Sequence, residues 1–300
     1  MRFFFIFLVW FSTGFSKEYF SERLHQGWQQ TFEVSRWLVQ KESPFQKIQL
    51  FENPLFGRVL VLDGIVQITE KDEFVYQEML CHVPLFAHGR AKRVLVIGGG
   101  DGGILREILK HPEVEKAVLV EIDGEVIEVA KKYLPEICGG AFEDHRAQVL
   151  VADGIDFVKK TQETFDVIII DTTDPVGPGK TLFSEDFLAS CKKVLAPEGI
   201  LTIQNGVFFL QKEELKETLQ RLKAHFKQAA FYTAAVPTYV GGAMAFGFAS
   251  DDEKSFRIEE KVLQKRLKKF GGSLKYYTPG IHKASFALPL WVESYLAENG

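Results

Sequence analysis

The sequence predicts an α/β fold in which a small N-terminal antiparallel β-domain precedes a doubly wound, Rossmann-like sheet. Short runs with strand-like alternation and turn signals occupy residues 1–70, and continuous apolar strands alternate with helical segments after them. Such an alternation indicates a parallel sheet covered by helices on both faces. Since no linker separates the two parts, we expect the domains, residues 1–70 and 71–300, to pack together.

Length and composition place the chain among ordinary globular proteins. Its 300 residues suffice for two domains with a sizeable core. An apolar fraction of 46% with 25% charged residues argues against disorder and against a collagen-like chain. The net charge of −4, without a long run of like charge, disfavours a nucleic-acid binder but allows a cationic small substrate.

The first residues carry an apolar run, FFFIFLVWF at 3–11, behind Arg2. This run is too short for a membrane-spanning helix, which needs about 20 residues. A short secretory signal and a buried strand both fit it.

The cysteines and histidines lack the spacing of a disulfide framework or a metal site. Cys81, Cys138 and Cys191 form no CxxC pair, and the seven histidines form neither HxxxH nor HExxH. We therefore expect three small apolar cysteine side chains in a reduced cytosol, and no bound metal.

Turn signals divide the β-domain into four predicted strands: residues 31–39, 45–51, 58–62 and 65–69. ENPLFG at 52–57 is typical of a loop. Asp63-Gly64 joins the last two strands and is the two-residue signature of a type I′ hairpin.

The second domain begins with a helix predicted over 72–88, after which strands and helices alternate. Fully apolar segments predict strands at 93–97, 116–122, 147–152, 165–171 and 199–204. Helical spacing predicts helices at 103–111, 125–134, 154–161 and 184–195. A late strand over 243–249 is expected to lie antiparallel at the sheet edge.

A glycine-rich loop follows the first strand of this domain and opens a helix. In IGGGDGGILRE at 97–107, Gly98, Gly100 and Gly103 satisfy GxGxxG, and Glu121 ends the next strand, 23 residues after Gly98. Glycines let the backbone approach a ligand closely, and an acid at that place accepts both ribose hydroxyls. The motif predicts a nucleoside site without choosing between nicotinamide, flavin and S-adenosyl ligands.

Asp101 inside this loop favours a positively charged ligand. A carboxylate at the helix N-terminus would repel a dinucleotide pyrophosphate and attract an ammonium or sulfonium group. Helix capping is the alternative role, and one side chain can do both. Asp153-Gly154 follows the third strand, where Asp153 could accept a hydrogen bond from an adenine amino group; a plain Asp-Gly turn is the alternative.

Two carboxylates lie in the loop after the fourth strand, in IIIDTTDPVGPGKTLF at 168–183. Asp171 and Asp174 stand three residues apart at the carboxyl end of that strand, where ligands bind in such sheets. Neighbouring carboxylates raise each other's proton affinity, so one can act as a base, and both attract a cationic amine. A solvated turn with a capping aspartate is the alternative interpretation.

Seven stretches resemble, in content and in order, the polyamine aminopropyltransferase family of spermidine synthases: VLVLDGIVQITEKDEFVYQEML (59–80), VLVIGGGDGGILRE (94–107), VEID (120–123), VADG (151–154), DTTDPVGP (171–178), VPTYVGG (236–242) and YYTPGIHKASFALP (276–289). The resemblance implies a sheet of the methyltransferase type and transfer of an aminopropyl group to putrescine. The donor would be decarboxylated S-adenosylmethionine, a co-substrate, and the products spermidine and methylthioadenosine. No cofactor is implied.

The resemblance also assigns roles to residues. The adenosyl ligand is expected to be held by Gln46, Gly98, Gly100, Asp101, Glu121, Asp153, Gly154 and Pro178. The diamine is expected to be held by Tyr76, Gln77, Asp101, Asp171, Asp174 and Tyr239. Asp171 matches the family's proton acceptor. Because a sulfonium is a good leaving group, alignment of a neutral amine with the neighbouring methylene carbon suffices, and no covalent intermediate or metal is required.

Three departures from the family pattern leave the choice of amine open. Gln77 stands where many bacterial members have histidine, Thr172-Thr173 where many have Ser-Ser, and IQNGVFFL at 203–210 where another branch is acidic. Cadaverine or a longer amine are alternatives to putrescine. The alternative functions are a non-catalytic polyamine- or nucleoside-binding protein and a small-molecule methyltransferase, and the latter is disfavoured because the carboxylate of intact S-adenosylmethionine would meet Asp101.

The resemblance further implies a homodimer or homotetramer in the cytoplasm, with no nucleic-acid or membrane partner. Trp10-Phe11 matches the aromatic pair with which family members often begin, so part of the apolar run is expected to belong to the enzyme. Residues 1–9 have three interpretations: an extended first strand, an interface flap, or translation from an upstream start codon.

Overall fold

The computed structural model describes residues 17–172, 182 and 184–298, and its N-terminal part consists of two antiparallel sheets. Strands β1 (Glu18–His25) and β2 (Trp28–Val34) form a hairpin; a second sheet contains, in order, β3 (Arg36–Glu42), β4 (Lys47–Asn53), β5 (Gly57–Leu62) and β6 (Ile65–Thr69). The predicted type I′ turn is confirmed, because Asp63 (φ 49°) and Gly64 (φ 82°) both have positive φ.

The single strand predicted over 31–39 is wrong. The chain leaves β2 at Val34 and enters β3 at Arg36, so the segment contributes to two different sheets. The alternation of apolar residues continues across the break and therefore hides it. Strand β1 was not predicted, and the Trp10-Phe11 pair lies outside the described residues.

The four-stranded sheet is covered on both faces, which explains why β4 and β5 are apolar at almost every position. Since successive side chains of a strand point to opposite faces, Phe51 packs with Phe20 of the hairpin, and Leu50 packs towards Val126. Val126 belongs to helix α3 (Gly124–Tyr133) of the second part of the chain. The N-terminal sheets are thus anchored on the larger sheet's helical layer.

The second part is built on a seven-stranded sheet with the order β12-β13-β11-β10-β7-β8-β9. Its strands are β7 (Arg93–Gly98), β8 (Lys116–Glu121), β9 (Ala147–Val151), β10 (Phe165–Asp171), β11 (Leu195–Val207), β12 (Gln228–Ala235) and β13 (Ala243–Ser250). Strands β7 to β11 are parallel, which confirms the predicted doubly wound sheet. The late strand β13 is antiparallel as predicted, but β12 and not β13 occupies the edge.

Helices cover the sheet, and α1 (Glu73–His88) is buried along almost its whole length. The others are α2 (Gly103–Leu109), α4 (Pro135–Cys138), α5 (Gly154–Lys160), α6 (Glu185–Val194), α7 (Lys212–His225), α8 (Glu260–Phe270), α9 (Pro279–Ser285) and α10 (Leu290–Glu298). The three cysteines are unpaired and buried, as predicted. Among residues 17–172, 182 and 184–298, no helix is both long and apolar enough to cross a bilayer.

The strand order places a crevice at the carboxyl end of β7. From β7 the chain runs outward through β8 and β9, and then returns to β10 on the opposite side of β7. In open parallel sheets, ligands bind at such a reversal of strand order. The glycine loop after β7 and the acidic residue at the end of β10 therefore meet at one place.

Candidate active site

A cavity of about 600 Å³ lies at this crevice, between the carboxyl ends of the parallel strands and the N-terminal sheets. Ten of the predicted site residues line it: Gln46, Tyr76, Gly98, Gly100, Asp101, Glu121, Asp153, Gly154, Asp171 and Tyr239. Gln77 is fully buried behind the wall and hydrogen-bonds to Asp101. Asp174 and Pro178 lie outside the described residues.

The glycine loop brings the ends of three strands together. Gly98 has a φ of 85°, and a Cβ added to it would lie 2.0 Å from the carbonyl oxygen of Asp171. Gly99 donates its N–H to the same oxygen at 3.0 Å, and Gly100 donates to Glu121 Oε2 at 3.2 Å. Glycine is required at position 98 by both conformation and space, because only glycine adopts this φ without strain.

Asp101 lies at the start of α2 and is held there by two hydrogen bonds. Its Oδ1 accepts the N–H of Gly103, the first residue of α2, at 2.7 Å, and the Nε2–H of Gln77 at 3.0 Å. The carboxylate also lines the cavity. Burial raises the pKa of Asp101, and the Gly103 N–H, the charge of Arg106 and Gln77 partly oppose that rise.

Glu121 ends β8 with its carboxylate held by two backbone groups. It accepts from Gly100 and, through Oε1, from the N–H of Asp123 at 2.9 Å. Burial raises the pKa of Glu121 to about 7. Asp123 was not predicted: it caps α3 and accepts from Gln46 Nε2 at 2.9 Å, which fixes the amide of Gln46 beside the cavity.

Asp153 caps helix α5, a role that neither interpretation of the Asp-Gly pair included. Its Oδ1 accepts from the N–H of Ile155 at 2.7 Å, and the residue lines the cavity at the end of β9. Gly154 approaches β7 so closely that an added Cβ would lie 2.4 Å from Ile97 Cγ2. A larger residue there would push the start of α5, which forms part of the cavity wall, away from β7.

Asp171 and Tyr76 form the polar centre of the cavity. The hydroxyl of Tyr76 donates to Asp171 Oδ1 at 2.5 Å. Burial raises the pKa of Asp171 to about 8, and the negative charges of Asp101 and Glu121 act in the same direction. The ring of Tyr239 lies 5.7 Å from that of Tyr76, and its hydroxyl donates to the Gln67 carbonyl at 2.5 Å.

Two further polar side chains hold the cavity wall, and sequence reasoning missed both. Asp72 accepts the N–H and the hydroxyl of Thr238 at 2.9 and 2.7 Å, which ties the segment before Tyr239 to the start of α1. Gln204 donates to the carbonyl of Thr172 at 2.6 Å and so supports the residue after Asp171. Neither contact has a local sequence signal, because the partners are far apart in the chain.

The arrangement suits a ligand that is part nucleoside and part cation. Asp101, Glu121 and Asp171 are carboxyl groups with raised pKa values that line one cavity, and a cation bound among them would favour their ionised forms. The glycine loop and Glu121 occupy the places where such sheets bind the ribose of a nucleotide or nucleoside. Fold and cavity together define a Rossmann-like protein with a nucleoside-type site at the reversal of strand order.

The chain belongs to the spermine/spermidine synthase family. The family's model of the "Spermine/spermidine synthase domain" matches residues 73–260, and its "Spermidine synthase tetramerisation domain" matches residues 18–70. The family resemblance inferred from the sequence is thereby confirmed, and the chain is an enzyme of the polyamine aminopropyltransferase class.

Individual relatives cover nearly the whole chain. The polyamine aminopropyltransferase of Shigella flexneri is 46% identical over 283 residues, which are 94% of this chain and 98% of the relative. The polyamine aminopropyltransferase of Ruegeria sp. is 48% identical over 273 residues, which are 91% of this chain and 96% of the relative. A crystal structure of spermidine synthase with the transition-state analogue AdoDATO is 40% identical with a TM-score of 0.89, covering 94% and 95% of the chains. The crystal structure of the Thermotoga maritima spermidine synthase is 40% identical, with a TM-score of 0.86. The match covers 93% of this chain and 94% of that one.

Proposed function

We propose that the enzyme transfers the aminopropyl group of decarboxylated S-adenosylmethionine to putrescine, with Asp171 as general base and without a covalent intermediate. The observation that carries the proposal is the cluster of three carboxyl groups around one cavity, with Glu121 buried and Asp101 and Asp171 partly buried. A neutral or anionic acceptor would leave these groups uncompensated, whereas a diamine and a sulfonium supply positive charge. The solved relative with AdoDATO supports a site of this kind.

The donor is proposed to occupy the half of the cavity at the ends of β7, β8 and β9. Glu121 would accept the ribose hydroxyls, Asp153 and Gly154 would face the adenine, and Gln46 would close this half from the N-terminal sheet. Gly98 and Gly100 would allow close approach of the backbone, with Pro178 contributing from outside the described residues. Asp101 would bind the ammonium end of the aminopropyl chain.

The acceptor is proposed to lie between Tyr76, Tyr239 and Asp171, with Asp174 holding its far ammonium and Gln77 steadying Asp101. The attacking amine must be neutral, because only its lone pair can displace sulfur. In the transfer step the nitrogen lone pair forms the new bond to the methylene carbon. The carbon–sulfur bond breaks with its electron pair going to sulfur, and the proton released from nitrogen goes to Asp171.

The raised pKa of Asp171 fits this task. A carboxylate with an ordinary pKa is too weak a base to take a proton from an alkylammonium, whereas one whose pKa is about 8 is better matched to it. Proximity supplies the rest of the rate enhancement, since both reactants are held in one cavity.

The test is an assay for methylthioadenosine with decarboxylated S-adenosylmethionine and, in turn, putrescine, cadaverine and spermidine. We expect putrescine to be preferred, and Asp171→Asn to lower kcat by roughly 10²- to 10⁴-fold, the range for loss of a general base. Asp156→Asn, an exposed change outside the cavity, is the matched control. Full turnover with normal diamine affinity in Asp171→Asn would refute the base, and a different preferred amine would refute putrescine.

Absence of a covalent intermediate has its own test. Intact mass measurement after incubation with the donor alone should show an unmodified chain, and an added aminopropyl group would overturn this part of the proposal.

Assembly, location and the domain division belong to the same proposal. A homotetramer or homodimer is supported by the family's tetramerisation domain matching residues 18–70, and a cytoplasmic location by the three unpaired cysteines. The same match supports a first domain ending at residue 70. Sedimentation of the purified chain would test the assembly.

A further inference from the structure

A second cluster of reactive side chains lies outside the cavity, where α1 packs against the end of α2. Cys81 and His82 belong to α1, and His111 follows α2 by two residues. All three are buried, and the atoms Cys81 Sγ, one ring nitrogen of His82 and one of His111 lie within 4.8 Å of one another. His82 Nδ1 and His111 Nε2 are 2.9 Å apart.

The other nitrogen of His82 is held by a carboxylate. His82 Nε2 lies 2.9 Å from Glu107 Oε2, and Arg106 and Lys110 bind the same carboxylate at 2.7 Å. Because Glu107 is paired with these two cations, its carboxylate is the hydrogen-bond acceptor, and His82 Nε2 donates to it. The Nδ1 atom of His82 therefore faces His111. A carboxylate that orients a histidine in this way is the usual partner of a metal-binding imidazole.

Aromatic rings, and not oxygen ligands, pack against the two imidazoles. The ring of Phe270 lies 5.3 Å from His82 and 4.7 Å from His111, and Phe86 lies 4.9 Å from His111. A thiol and two imidazoles inside an aromatic shell favour a borderline-soft ion over magnesium or calcium, which prefer oxygen ligands.

We propose that Cys81, His82 Nδ1 and His111 Nε2 form a binding site for a divalent ion of the zinc class, which would bridge α1 and the end of α2. On binding, the Cys81 thiol loses its proton to solvent and forms the metal–sulfur bond. The proton that His111 Nε2 shares with His82 moves to His111 Nδ1, so one proton is released per ion. A fourth ligand, water, would come from a cavity of about 240 Å³ that His111 lines.

The charges around that cavity affect uptake. Arg90, Lys265, Arg266 and Lys269 line it together with Glu113, so a bare dication meets net repulsion on its way in. We therefore expect slow uptake that becomes faster at higher ionic strength, which screens this repulsion.

The test uses Co²⁺ as a spectroscopic probe on the full chain after treatment with a chelator. We expect one equivalent to give tetrahedral d–d bands and a thiolate-to-cobalt charge-transfer band, with release of one proton and displacement of Co²⁺ by Zn²⁺. The carboxylates of the active site cannot produce the thiolate band. Cys81→Ala should abolish it, and a folded wild-type chain without it would refute the site.

The double variant Cys138→Ala/Cys191→Ala is the matched control, since it leaves Cys81 as the only one of the three cysteines. We expect this double variant to show the charge-transfer band. If Cys81→Ala does not fold, the double variant alone still tests whether Cys81 is the thiolate ligand. Loss of the band in this folded double variant, or its persistence in Cys81→Ala, would assign the ion to another site and overturn the proposal.

Discussion

The substitution Asp171→Asn is expected to stabilise the ligand-free enzyme, and to do so more as the pH rises. Because the pKa of folded Asp171 is raised from 3.8 to about 8, the folded chain binds more protons than the unfolded chain between these values. The free energy of unfolding therefore falls as pH rises through this window. At about 1.4 kcal/mol for each tenfold change in proton affinity, the ionised carboxylate costs on the order of 5 kcal/mol at pH 8. Asparagine keeps an acceptor for Tyr76 and carries no charge.

The assay is urea unfolding followed by tryptophan fluorescence at pH 5 and pH 8.5, without substrates. The difference in unfolding free energy between Asp171→Asn and wild type should grow by several kcal/mol between the two pH values. Glu121, whose pKa is raised to about 7, contributes a slope of the same sign to both proteins, so the difference reports on Asp171 together with its charge interaction with Glu121. If the difference in unfolding free energy is equal at both pH values, or larger at pH 5, the pKa of Asp171 is not raised in the folded chain and the reasoning is refuted.

Substitutions at three further positions test buried contacts of the second part of the chain and of the cavity wall. Glu78→Ala should cost about 3 kcal/mol in urea unfolding, because its carboxylate accepts three backbone N–H groups of residues 275–277, and Glu78→Gln should cost less. Gly98→Ala should cost about 2–5 kcal/mol and abolish turnover, given its φ of 85° and the contact with Asp171. Asp72→Ala should raise the diamine KM about tenfold, since about 1.4 kcal/mol of positioning through Thr238 is lost, with unchanged KM as the contrary result.

The parts of the fold that could be predicted from sequence are those with a strong local pattern. Strands β7, β8 and β10 are largely apolar runs, each followed by a turn signal, and the glycine loop after β7 matches a motif that is known to join a strand to a helix. Strand β12 was not predicted because its sequence, QAAFYTAA, contains four alanines, which have low β propensity. The segment is a strand because it pairs with β13. The break between β2 and β3 was hidden because alternation is the same in two strands as in one.

The residues of the candidate site could likewise be predicted only where the sequence carries a local pattern. Residues at strand ends were found because the carboxyl edge of a parallel sheet is where ligands bind. Asp123, Asp72 and Gln204 were missed because each acts through a partner distant in sequence: Gln46, Thr238 and Thr172 respectively. The Cys81 cluster was missed for the same reason, since its spacing matches no metal motif and only the packing of α1 on α2 brings it together.

Burial gives the carboxyl groups of the cavity two effects that cannot be separated. It raises the pKa of Asp101, Glu121 and Asp171, which costs the ligand-free fold stability at neutral pH. The same burial makes a bound cation interact strongly with these groups, because the local dielectric is low. Arg106, held by Glu73 and Glu107 beside Asp101, limits the cost by favouring ionised Asp101. On the proposed function, a cationic substrate would supply the remaining positive charge, so the free energy withheld from folding would become available for binding the amine and for keeping Asp171 ionised, the form that can accept a proton.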